Sequence, residues 1–376
     1  MNDDNTLTKI NLDRRNKDRV SSILKEIRLL LDKLPDVSKG HPLTFMHVCG
    51  SHEDTLMKNG LRYLLANRLD NRIRMVAGPG CPVCVSPVED IDFSVAISKI
   101  PDTIITSFGD MIRVPGTSDS LEMQKMKGKK IYTVYSITDS IKMAEKNPDK
   151  KIIFISPGFE TTTPATAVEL QNRPPENFFV LSSHRLVPPA LEVLMTLPEL
   201  QIDGFVLPGH VSVIIGTKSY AEFLNHWHKP GAIAGFEPVD MLEGILSLVR
   251  QIYEQNPQIE NSYQRAVNYE GNKIAQESIS NVFDIVDASW RGLGVFKKSG
   301  LEINDKFSQY NVRKEFDIEL GPVIEIPKGC QCHRVIIGAI EPHECPLYKT
   351  RCTPEQPVGP CMVGIEGTCR INAIYF

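Results

Sequence analysis

Eight short apolar runs alternate with helix-like segments, and this pattern restricts the possible folds more than any other feature of the chain. The runs are mostly about 26–30 residues apart and read LTFMHV, IRMVAG, DTIITSF, KIYTVYS, KIIFIS, ENFFVLSS, DGFVLPG and GAIAGFE. Parallel strands need a crossover of roughly a dozen or more residues, usually a helix, so this spacing is typical of βαβ units. The sequence therefore predicts an α/β fold with parallel sheets.

The runs fall into two sets of four, which suggests how the chain is divided. The break lies near KNPDKK at residues 146–151, and each set ends in a similar phrase, YSITDSIKMA or GFEPVDMLEGI. We therefore expect two similar parallel-sheet α/β domains, at residues 41–148 and 149–258. An N-terminal helical segment at residues 1–40, with helical apolar spacing from Ser21 to Leu34, precedes them. A C-terminal cysteine-rich domain at residues 259–376 follows.

Two local elements are also expected near the end of the second half and beyond it. The segment from about Pro238 to Glu254 has the pattern of a helix. The phrase RVIIGAI, which begins at Arg334, has the apolar and β-branched residues of a short strand. We expect this strand to belong to the C-terminal domain, whose folding would be organised by whatever its thiols bind.

Composition and charge exclude several classes of protein. Apolar residues make up 41% of the chain, and 42 Lys and Arg against 46 Asp and Glu give a net charge of −4. No global positive field would therefore attract nucleic acid or anionic lipid. No stretch approaches the ~20 apolar residues of a membrane helix, and the start, MNDDNTLTKINLDRR, lacks the apolar core of a secretion signal. We expect a cytoplasmic protein with neither nucleic acid nor a membrane as partner.

The nine cysteines are segregated along the chain. Cys49, Cys81 and Cys84 lie in the first quarter and are called here the first cysteine group. The second cysteine group consists of Cys330, Cys332, Cys345, Cys352, Cys361 and Cys369. Structural disulfides persist mainly in oxidising compartments, and buried structural cysteines would be scattered through the core. The pattern therefore favours two separate metal or redox sites.

The cysteines of the first group follow the ends of predicted strands. Cys49 follows LTFMHV, and Ser51 with Asp54 resembles a cap that opens a helix. Cys81 and Cys84 follow the next run. Because carboxyl ends of parallel strands meet at one edge of a sheet, where open α/β proteins usually bind ligands, we expect the three thiols to converge.

The Cys-x-x-Cys pair is compatible with three kinds of site: a thioredoxin-like dithiol, half of a zinc site, or a ligand pair for iron. Directly after it, Ser86 with Glu89 is expected to form a capping box, with Pro87 at the first helical position. His52 and Glu53, next to the first cysteine, are candidates to orient a metal-bound thiolate.

Two strand ends in the second half also carry polar residues. His210, in LPGHVSVIIG, faces the same kind of crevice and is either a site residue or a structural one. The threonines of SPGFETTTPATA either bind an anion at a helix N-terminus or cap the helix. The Gly-rich phrases match neither a Walker loop nor a dinucleotide fingerprint, so nucleotide binding has no support in the sequence.

The spacing of the second cysteine group favours an iron–sulfur cluster over zinc. Zinc sites usually show paired Cys-x2-Cys knuckles, and this group has none. A cluster also takes four thiolates but accepts wider, irregular spacings, and it would leave two cysteines as a redox-active dithiol. Spacing alone leaves open which four cysteines bind.

Taken together, the motifs are similar to those of one protein family. From about Phe45 onward the chain resembles the HypD family of hydrogenase maturation factors, in VCGSHE, GPGCPVCVSP, PGFETTTPATA, LPGHVSVIIG, GFEPVDML, YQRAVNYEGN, WRGLG and ECPLYKTRCTPEQPVGPCMVGIEGTC. Each phrase is weak alone, but their number and order are specific. The resemblance implies two similar α/β domains and a third that carries a [4Fe–4S] cluster.

The resemblance also implies a function. It implies a scaffold on which the Fe(CN)2CO centre of nickel–iron hydrogenases is assembled, in complex with a small chaperone, HypC, and with cyanide received through HypE. It implies that Cys49, Cys81 and Cys84 surround the assembling iron, and that His210 and Glu366 support that site. Such a protein is a redox-competent scaffold more than a conventional turnover enzyme.

For the cluster, the resemblance implies the ligands Cys330, Cys345, Cys352 and Cys369. It leaves Cys332 and Cys361 as a thiol/disulfide pair. The chain has His333 where the family pattern leads us to expect a small residue, and Ser51 where we expect threonine. Two competing functions remain: a cluster-dependent thiol–disulfide oxidoreductase that uses Cys81 and Cys84, and a zinc-stabilised binding module without redox function.

Overall fold

The structure, a computed structural model, describes residues 14–38 and 40–376. In these ranges the strands are β1 (Leu43–His47), β2 (Ile73–Ala77), β3 (Thr103–Ser107), β4 (Ile131–Thr133), β5 (Lys151–Gly158), β6 (Phe178–Arg185), β7 (Gly204–Pro208), β8 (Gly231–Ala234), β9 (Ile259–Asn261), β10 (Phe283–Trp290) and β11 (Gly294–Ile303). All eight predicted runs form strands, β1 to β8. In β3 every residue is buried, as expected of a continuous apolar run in a parallel sheet.

The helices lie mainly between the strands. The α-helices of the described ranges are Arg14–Leu31, Pro35–Ser38, Gly50–Lys58, Leu61–Arg68, Pro82–Val85, Val88–Ser98, Gly109–Arg113, Leu121–Met126, Ile137–Lys146, Thr163–Gln171, Val187–Thr196, Gly209–Ile215, Ala221–Trp227, Pro238–Tyr253, Lys273–Val282, Val312–Glu315, Cys332–Val335, Pro360–Val363 and Thr368–Tyr375. Short 3-10 helices are Thr217–Tyr220, Asp305–Tyr310 and Pro342–Glu344. Of the helices described, none has both the length and the apolar character that crossing a membrane requires.

The strands form two sheets. The first sheet has the order β2-β1-β7-β8-β9 and is parallel throughout. The second has the order β10-β11-β6-β5-β3-β4; its β3 to β6 pair in parallel, and β11 and β10 extend it as antiparallel strands. The predicted α/β class with parallel sheets is therefore confirmed.

The sheets do not follow the two consecutive halves of the chain. β1 and β2 pair with β7 to β9, whereas β3 and β4 pair with β5 and β6. The expected break near residue 148 lies between β4 and β5, which belong to the same sheet. It is therefore not a boundary between the two sheets. The runs are alike in length and apolar character, so they predict strands without indicating which strands pair.

Residues after 258 contain structure that the sequence did not predict. β10 and β11 form a hairpin on the second sheet. RVIIGAI, expected to be a strand, is instead the helix Cys332–Val335 followed by turns. Gly338 there has φ of +70°, a left-handed conformation that ends an extended run, and Ile336 and Ile337 are buried beside the cysteines. The strand prediction was wrong because the apolar residues of this run are buried in a short helix and turn instead of a sheet.

Two expected helices are confirmed. The first is Arg14–Leu31, whose Ile23, Ile27 and Leu31 pack on the second, Pro238–Tyr253. Their spacing of four residues places them on one helix face. Residues 1–13 of the predicted N-terminal segment lie outside the described ranges.

The two similar phrases share a local structure. YSITDSIKMA and GFEPVDMLEGI each place a capping box between a strand and a helix, formed by Ser136 with Asp139 and by Glu237 with Asp240. In each box the first side chain accepts the N3 amide and the N3 carboxylate accepts the N-cap amide, so two free helix donors are satisfied. The similarity therefore reflects equivalent helix starts.

Candidate functional site

The loops after β1 and β2 are joined at the carboxyl edge of the first sheet. The strands pair in register, with His47 opposite Ala77. Cys49 is the N-cap residue of the helix Gly50–Lys58, and Cys81 is that of the helix Pro82–Val85. Backbone hydrogen bonds cross between the loops, from Gly78 N to His47 O at 2.7 Å and from Gly50 N to Gly80 O at 3.2 Å. The predicted approach of the two cysteine-bearing loops is therefore present.

Gly80 lies directly against Cys49. A Cβ placed on Gly80 would collide with the backbone nitrogen and Cα of Cys49. Any other residue would force the backbone of one loop to move, because a collision with backbone is not relieved by a rotamer change. Glycine at this position therefore sets the closeness of the two loops.

The caps of these helices differ from the predicted ones. No side chain caps Gly50–Lys58, and Ser51 donates instead to Glu366. Ser86 does not cap the next helix, Val88–Ser98; its hydroxyl donates to Pro82 O at 3.0 Å, and Pro87 is the N-cap. Cys81 takes a capping role, because its sulfur accepts from Cys84 N at 3.2 Å. Both predicted caps were wrong by one turn or less.

The first cysteine group contains one disulfide and one free thiol. Cys81 and Cys84 form a disulfide, with their Cα atoms 5.3 Å apart. Cys49 is a free, buried thiol. Burial, and then the negative charge of Glu366, raise the pKa of Cys49 to about 12. Without a cation nearby, this thiol stays protonated.

Residues 360–366, called here the cover segment, close over this group from the C-terminal part of the chain. A Cβ on Gly364 would lie 3.2 Å from Cys81 Sγ and 3.7 Å from Cys84 Sγ. Glu366 lies against Gly50, and Ser51 Oγ donates to Glu366 Oε1 at 2.6 Å. Burial raises the pKa of Glu366. The segment thus brings a carboxyl group beside the free thiol.

One residue that anchors the cover segment was missed by the sequence reasoning. Asp110 Oδ2 accepts from Ile365 N at 2.8 Å, next to Glu366. Asp110 follows β3 in DTIITSFGD, so its position after a strand end is the signal that could have identified it.

A buried polar network lies behind Cys49. Glu53 contacts His47 Nε2 at 2.8 Å, and it accepts from Arg62 Nη2 at 2.7 Å and from Asn372 Nδ2 at 2.8 Å. Burial raises the pKa of Glu53, but the charge of Arg62 and the hydrogen bond of His47 outweigh it and lower the pKa to about 2. Glu53 is therefore an ionised anchor for several elements rather than a group aimed at the thiol.

His210 lies beside this site, on the same sheet. It follows β7, which pairs with β1, and its ring stacks on Phe236 with the centroids 3.9 Å apart. Phe236 also packs on His52, whose Nε2 donates to the carbonyls of Ala234 and Gly235. Burial lowers the pKa of His52 to about 3 and also lowers that of His210, so both rings favour the neutral form.

A cavity of about 400 Å³ opens beside the helix that follows Cys49. Its lining includes Ser51, Asp54, His210 and Phe236. Ser51 follows Cys49 by two residues and bonds to Glu366. The structure therefore brings His210 and Glu366, predicted from different parts of the chain, into the neighbourhood of Ser51.

The second cysteine group is buried in the same hydrophobic core as the Cys81–Cys84 disulfide. The Cys330 thiol is hydrogen-bonded to the thiols of Cys332 and Cys345. The hydrogen bond with Cys332 is the main cause that lowers the pKa of Cys330 to about 7. Cys352 interacts electrostatically with Cys330 and Cys345. All six cysteines of this group carry free thiols.

The two remaining thiols of the second group form a pair. Cys369 N donates to Cys361 Sγ at 3.2 Å, and the two side chains are hydrogen-bonded. Cys361 is in the helix Pro360–Val363, where the carbonyl of Pro360 lies 3.9 Å from Cys84 Sγ. This helix therefore stands between the two cysteine groups.

The second group offers the donor set of an iron–sulfur cluster. In the part of the chain that the structure describes, no group of three or more His, Cys, Asp or Glu side chains is already arranged to hold a metal ion. A cluster takes four thiolates, and Cys330 is hydrogen-bonded to Cys345 while Cys352 interacts electrostatically with both, all three as free thiols. Residues of this group could therefore hold a cluster.

Fold and site define a class: an α/β protein with one parallel sheet, one mixed sheet and two buried cysteine groups, between which the helix Pro360–Val363 lies. Within this class the chain belongs to the HypD family of hydrogenase maturation factors. The family model described as HypD, hydrogenase formation hypA family, matches residues 20–376. Its role accordingly lies in hydrogenase maturation, and the resemblance seen in the sequence is confirmed.

Relatives agree over nearly their whole lengths. Hydrogenase maturation factor HypD of Escherichia coli is 38% identical over 359 residues, which cover 94% of this chain and 95% of that protein. HypD of Cupriavidus necator is 40% identical over 347 residues, covering 89% and 90%. HypD2 of Bradyrhizobium diazoefficiens is 42% identical over 364 residues, covering 93% and 94%.

Proposed function

We propose that this chain is the scaffold on which the Fe(CN)2CO centre of nickel–iron hydrogenases is assembled, with Cys49, Cys81 and Cys84 around the iron. The observation that carries the proposal is the buried free thiol of Cys49 against the loop of the Cys81–Cys84 pair. Thiolates are soft ligands that suit iron bearing strong-field diatomic ligands. The iron is cargo here, and it leaves with its ligands for the hydrogenase.

The electrostatics of this site support a cation as its occupant. Burial is the main cause that raises the pKa of both Cys49 and Glu366, which lie together. Two neighbouring acids in a site of low dielectric are neutral until a cation replaces their protons. An arriving iron would therefore displace protons from Cys49 and Glu366 and gain two negative partners.

The Cys81–Cys84 disulfide must be opened before both sulfurs bind iron. We assign this step to Cys332 and Cys361, acting as a dithiol by thiol–disulfide exchange. The bond between Cys81 and Cys84 breaks, a bond between Cys332 and Cys361 forms, and two electrons and two protons pass to the first pair. The contact between Pro360 and Cys84 supports this route, since Cys361 is the next residue.

Four thiols of the second group remain as cluster ligands: Cys330, Cys345, Cys352 and Cys369. When bound, a [4Fe–4S] cluster supplies single electrons, which would regenerate the Cys332/Cys361 dithiol. The hydrogen bond between Cys330 and Cys345, and the electrostatic interaction of Cys352 with both, support three of the four ligands. The contact of Cys369 with Cys361 would place the fourth ligand beside the dithiol.

We further propose a HypC-type chaperone and a HypE-type cyanide donor as partners. The cavity lined by His210 and by Ser51, which is two residues along the chain from Cys49, is the route by which a partner's thiol or a cyanide-bearing group would approach the iron. His210 in its neutral form could accept or donate a hydrogen bond to a diatomic ligand. The protein would then act as a redox-competent scaffold.

Cysteine replacement tests the iron-site role. Cys81→Ala and Cys84→Ala, expressed in a host without its own copy, should abolish hydrogenase maturation while four irons and four sulfides per chain remain bound. Ser86→Ala, two residues from Cys84, is the matched control and should mature hydrogenase normally. Normal hydrogenase activity in the cysteine variants would disprove the iron-site role.

A second candidate function is a thiol–disulfide oxidoreductase, and the observed Cys81–Cys84 disulfide is what favours it. A reductase should turn over a generic protein disulfide with dithionite-reduced chain as electron source. A scaffold should fail to turn over and should instead form a stable complex with the chaperone. Zinc bound without sulfide would support a binding module in place of both.

A further inference from the structure

Arg291 is a buried cation that the proposed function does not use. It follows β10 in the WRGLG phrase, and its side chain is 0% exposed. Its backbone N donates to Val85 O at 3.0 Å, one residue from Cys84. The next residue, Gly292, lies so close to the second group that a Cβ there would be 2.8 Å from the Cβ of His333. Arg291 therefore lies between the two cysteine groups.

Neutral carbonyl groups accept hydrogen bonds from only some of the N–H groups of the Arg291 guanidinium. Its Nε donates to Glu325 O at 3.2 Å and its Nη2 to Pro115 O at 2.8 Å. Its Nη1 is buried and has no hydrogen-bond partner. Buried charges in proteins are normally paired, because leaving one uncompensated is costly. The position of Arg291 therefore calls for a negative charge nearby.

The surroundings of Arg291 show where this charge could lie. Arg291 interacts electrostatically with Cys332, Glu325 and Cys330. Its backbone contact with Val85, and the closeness of Gly292 to His333, the neighbour of Cys332, place it among these groups.

We propose that Arg291 is the fixed counter-charge of the second cysteine group and sets the reduction potential of the cluster bound there. The inference rests on the proposed function only in taking that cluster as bound. Reduction adds one electron, breaks no protein bond, and leaves one more negative charge on the cluster and its thiolates. A guanidinium held in a medium of low dielectric stabilises that added charge. Arg291 is accordingly a positioning residue that acts through the ligands.

The test is a redox titration of the purified full-length chain with dithionite, followed by electron paramagnetic resonance of the reduced cluster. Arg291→Met removes the charge and keeps much of the volume. Its reduction equilibrium constant should fall about tenfold or more, which is about 59 mV for a one-electron couple. Arg291→Lys keeps the charge and should show less than half of that shift.

Two further variants separate charge from packing. Arg334→Met removes an exposed cation that is nearer in sequence to Cys332, and solvent screening should leave the potential unchanged. Glu325→Gln removes a negative charge and keeps an acceptor for Gly292 N, which donates to Glu325 Oε2 at 3.0 Å. It should raise the potential, opposite in sign to Arg291→Met.

The outcomes distinguish this inference from the proposed function. A wild-type chain without iron and acid-labile sulfide overturns both. A wild-type chain with a cluster, together with an unchanged potential in Arg291→Met, overturns the counter-charge alone. If Arg291→Met loses the cluster, Glu325→Gln decides: a higher potential supports the counter-charge, and an unchanged one refutes it.

Discussion

At the scale of single residues, the first cysteine group depends on backbone contact more than on side-chain chemistry. Gly80 lies on Cys49, and Gly50 lies on Glu366. Both contacts leave no space for a Cβ, so the positions of the thiol and the carboxyl group are fixed by the absence of side chains. The cysteines are evident from the sequence, but these contacts are not, because a close approach between distant loops has no local signature.

Replacing Gly80 tests this dependence. Gly80→Ala should destabilise the protein by about 1–3 kcal/mol, because the new methyl group collides with the backbone of Cys49. Gly321→Ala is the matched control, since nothing lies within 4 Å of a Cβ at that position. Guanidinium denaturation measures both free energies of unfolding. Equal stabilities of the two variants would contradict the close approach.

Glu160 makes stability depend on pH. Burial raises the pKa of Glu160 from 4.5 to about 7, and one of its carboxylate oxygens has no hydrogen-bond partner. The folded protein therefore binds more protons than the unfolded chain between these values, so this contribution to stability is lost as pH rises from about 4.5 to 7. The loss is on the order of 3 kcal/mol from the shift in pKa.

Glu160→Gln should remove this dependence, because glutamine is neutral at every pH and can still accept from Val187 N. Urea denaturation of both proteins at pH 5 and pH 8 measures it. The wild type should lose stability relative to the variant at the higher pH. A constant difference across this range would show that the carboxyl group is not held neutral.

At the scale of elements, strands and long helices were predictable, whereas caps were not. Period and apolar content gave β1 to β8 and the helices Arg14–Leu31 and Pro238–Tyr253. The Ser86 cap failed because the carbonyl of Pro82 competes for that hydroxyl. The strand prediction for RVIIGAI failed because its apolar residues are buried in the cysteine-lined core rather than in a sheet.

The helix Thr368–Tyr375 should owe much of its docking to one hydrogen bond. Asn372 donates to the buried carboxylate of Glu53, and bonds to charged groups contribute about 1.5–3 kcal/mol. Asn372→Ala should therefore cost about that amount in thermal or chemical unfolding. Ile374→Ala, at a side chain that is 54% exposed on the same helix, should change stability by less than about 0.5 kcal/mol. Similar losses in both variants would assign the docking to apolar contacts.

At the scale of the whole molecule, the two sheets each take strands from both halves of the chain. The convergence of Cys49 with Cys81 was predictable, because both follow consecutive parallel strands. The approach of His210 and Glu366 was not, since it depends on the pairing of β1 with β7 and on a contact 315 residues apart in sequence. The position of His210 after a strand made it a candidate, whereas only the family resemblance indicated Glu366.

This topology predicts that neither half folds alone. Residues 1–148 expressed alone would contain β1 to β4, and β1 would lack β7 while β3 would lack β5. Both that fragment and residues 149–376 should show no cooperative thermal transition by circular dichroism. Co-expression of the two should restore a transition close to that of the intact chain. Cooperative unfolding of either fragment alone would contradict the interleaved sheets.

The cover segment is synthesised long after the cysteine loops that it covers. Glu366 reaches the ribosome exit long after Ser51, and at roughly 5–20 residues per second the 315 residues between them take about 15–60 s to synthesise. Throughout that interval the Cys49 thiol lacks both the Glu366 carboxyl group and the cover segment. If the proposed iron site is right, iron that arrived in that interval would meet an incomplete ligand set, so loading would follow translation of the cover segment.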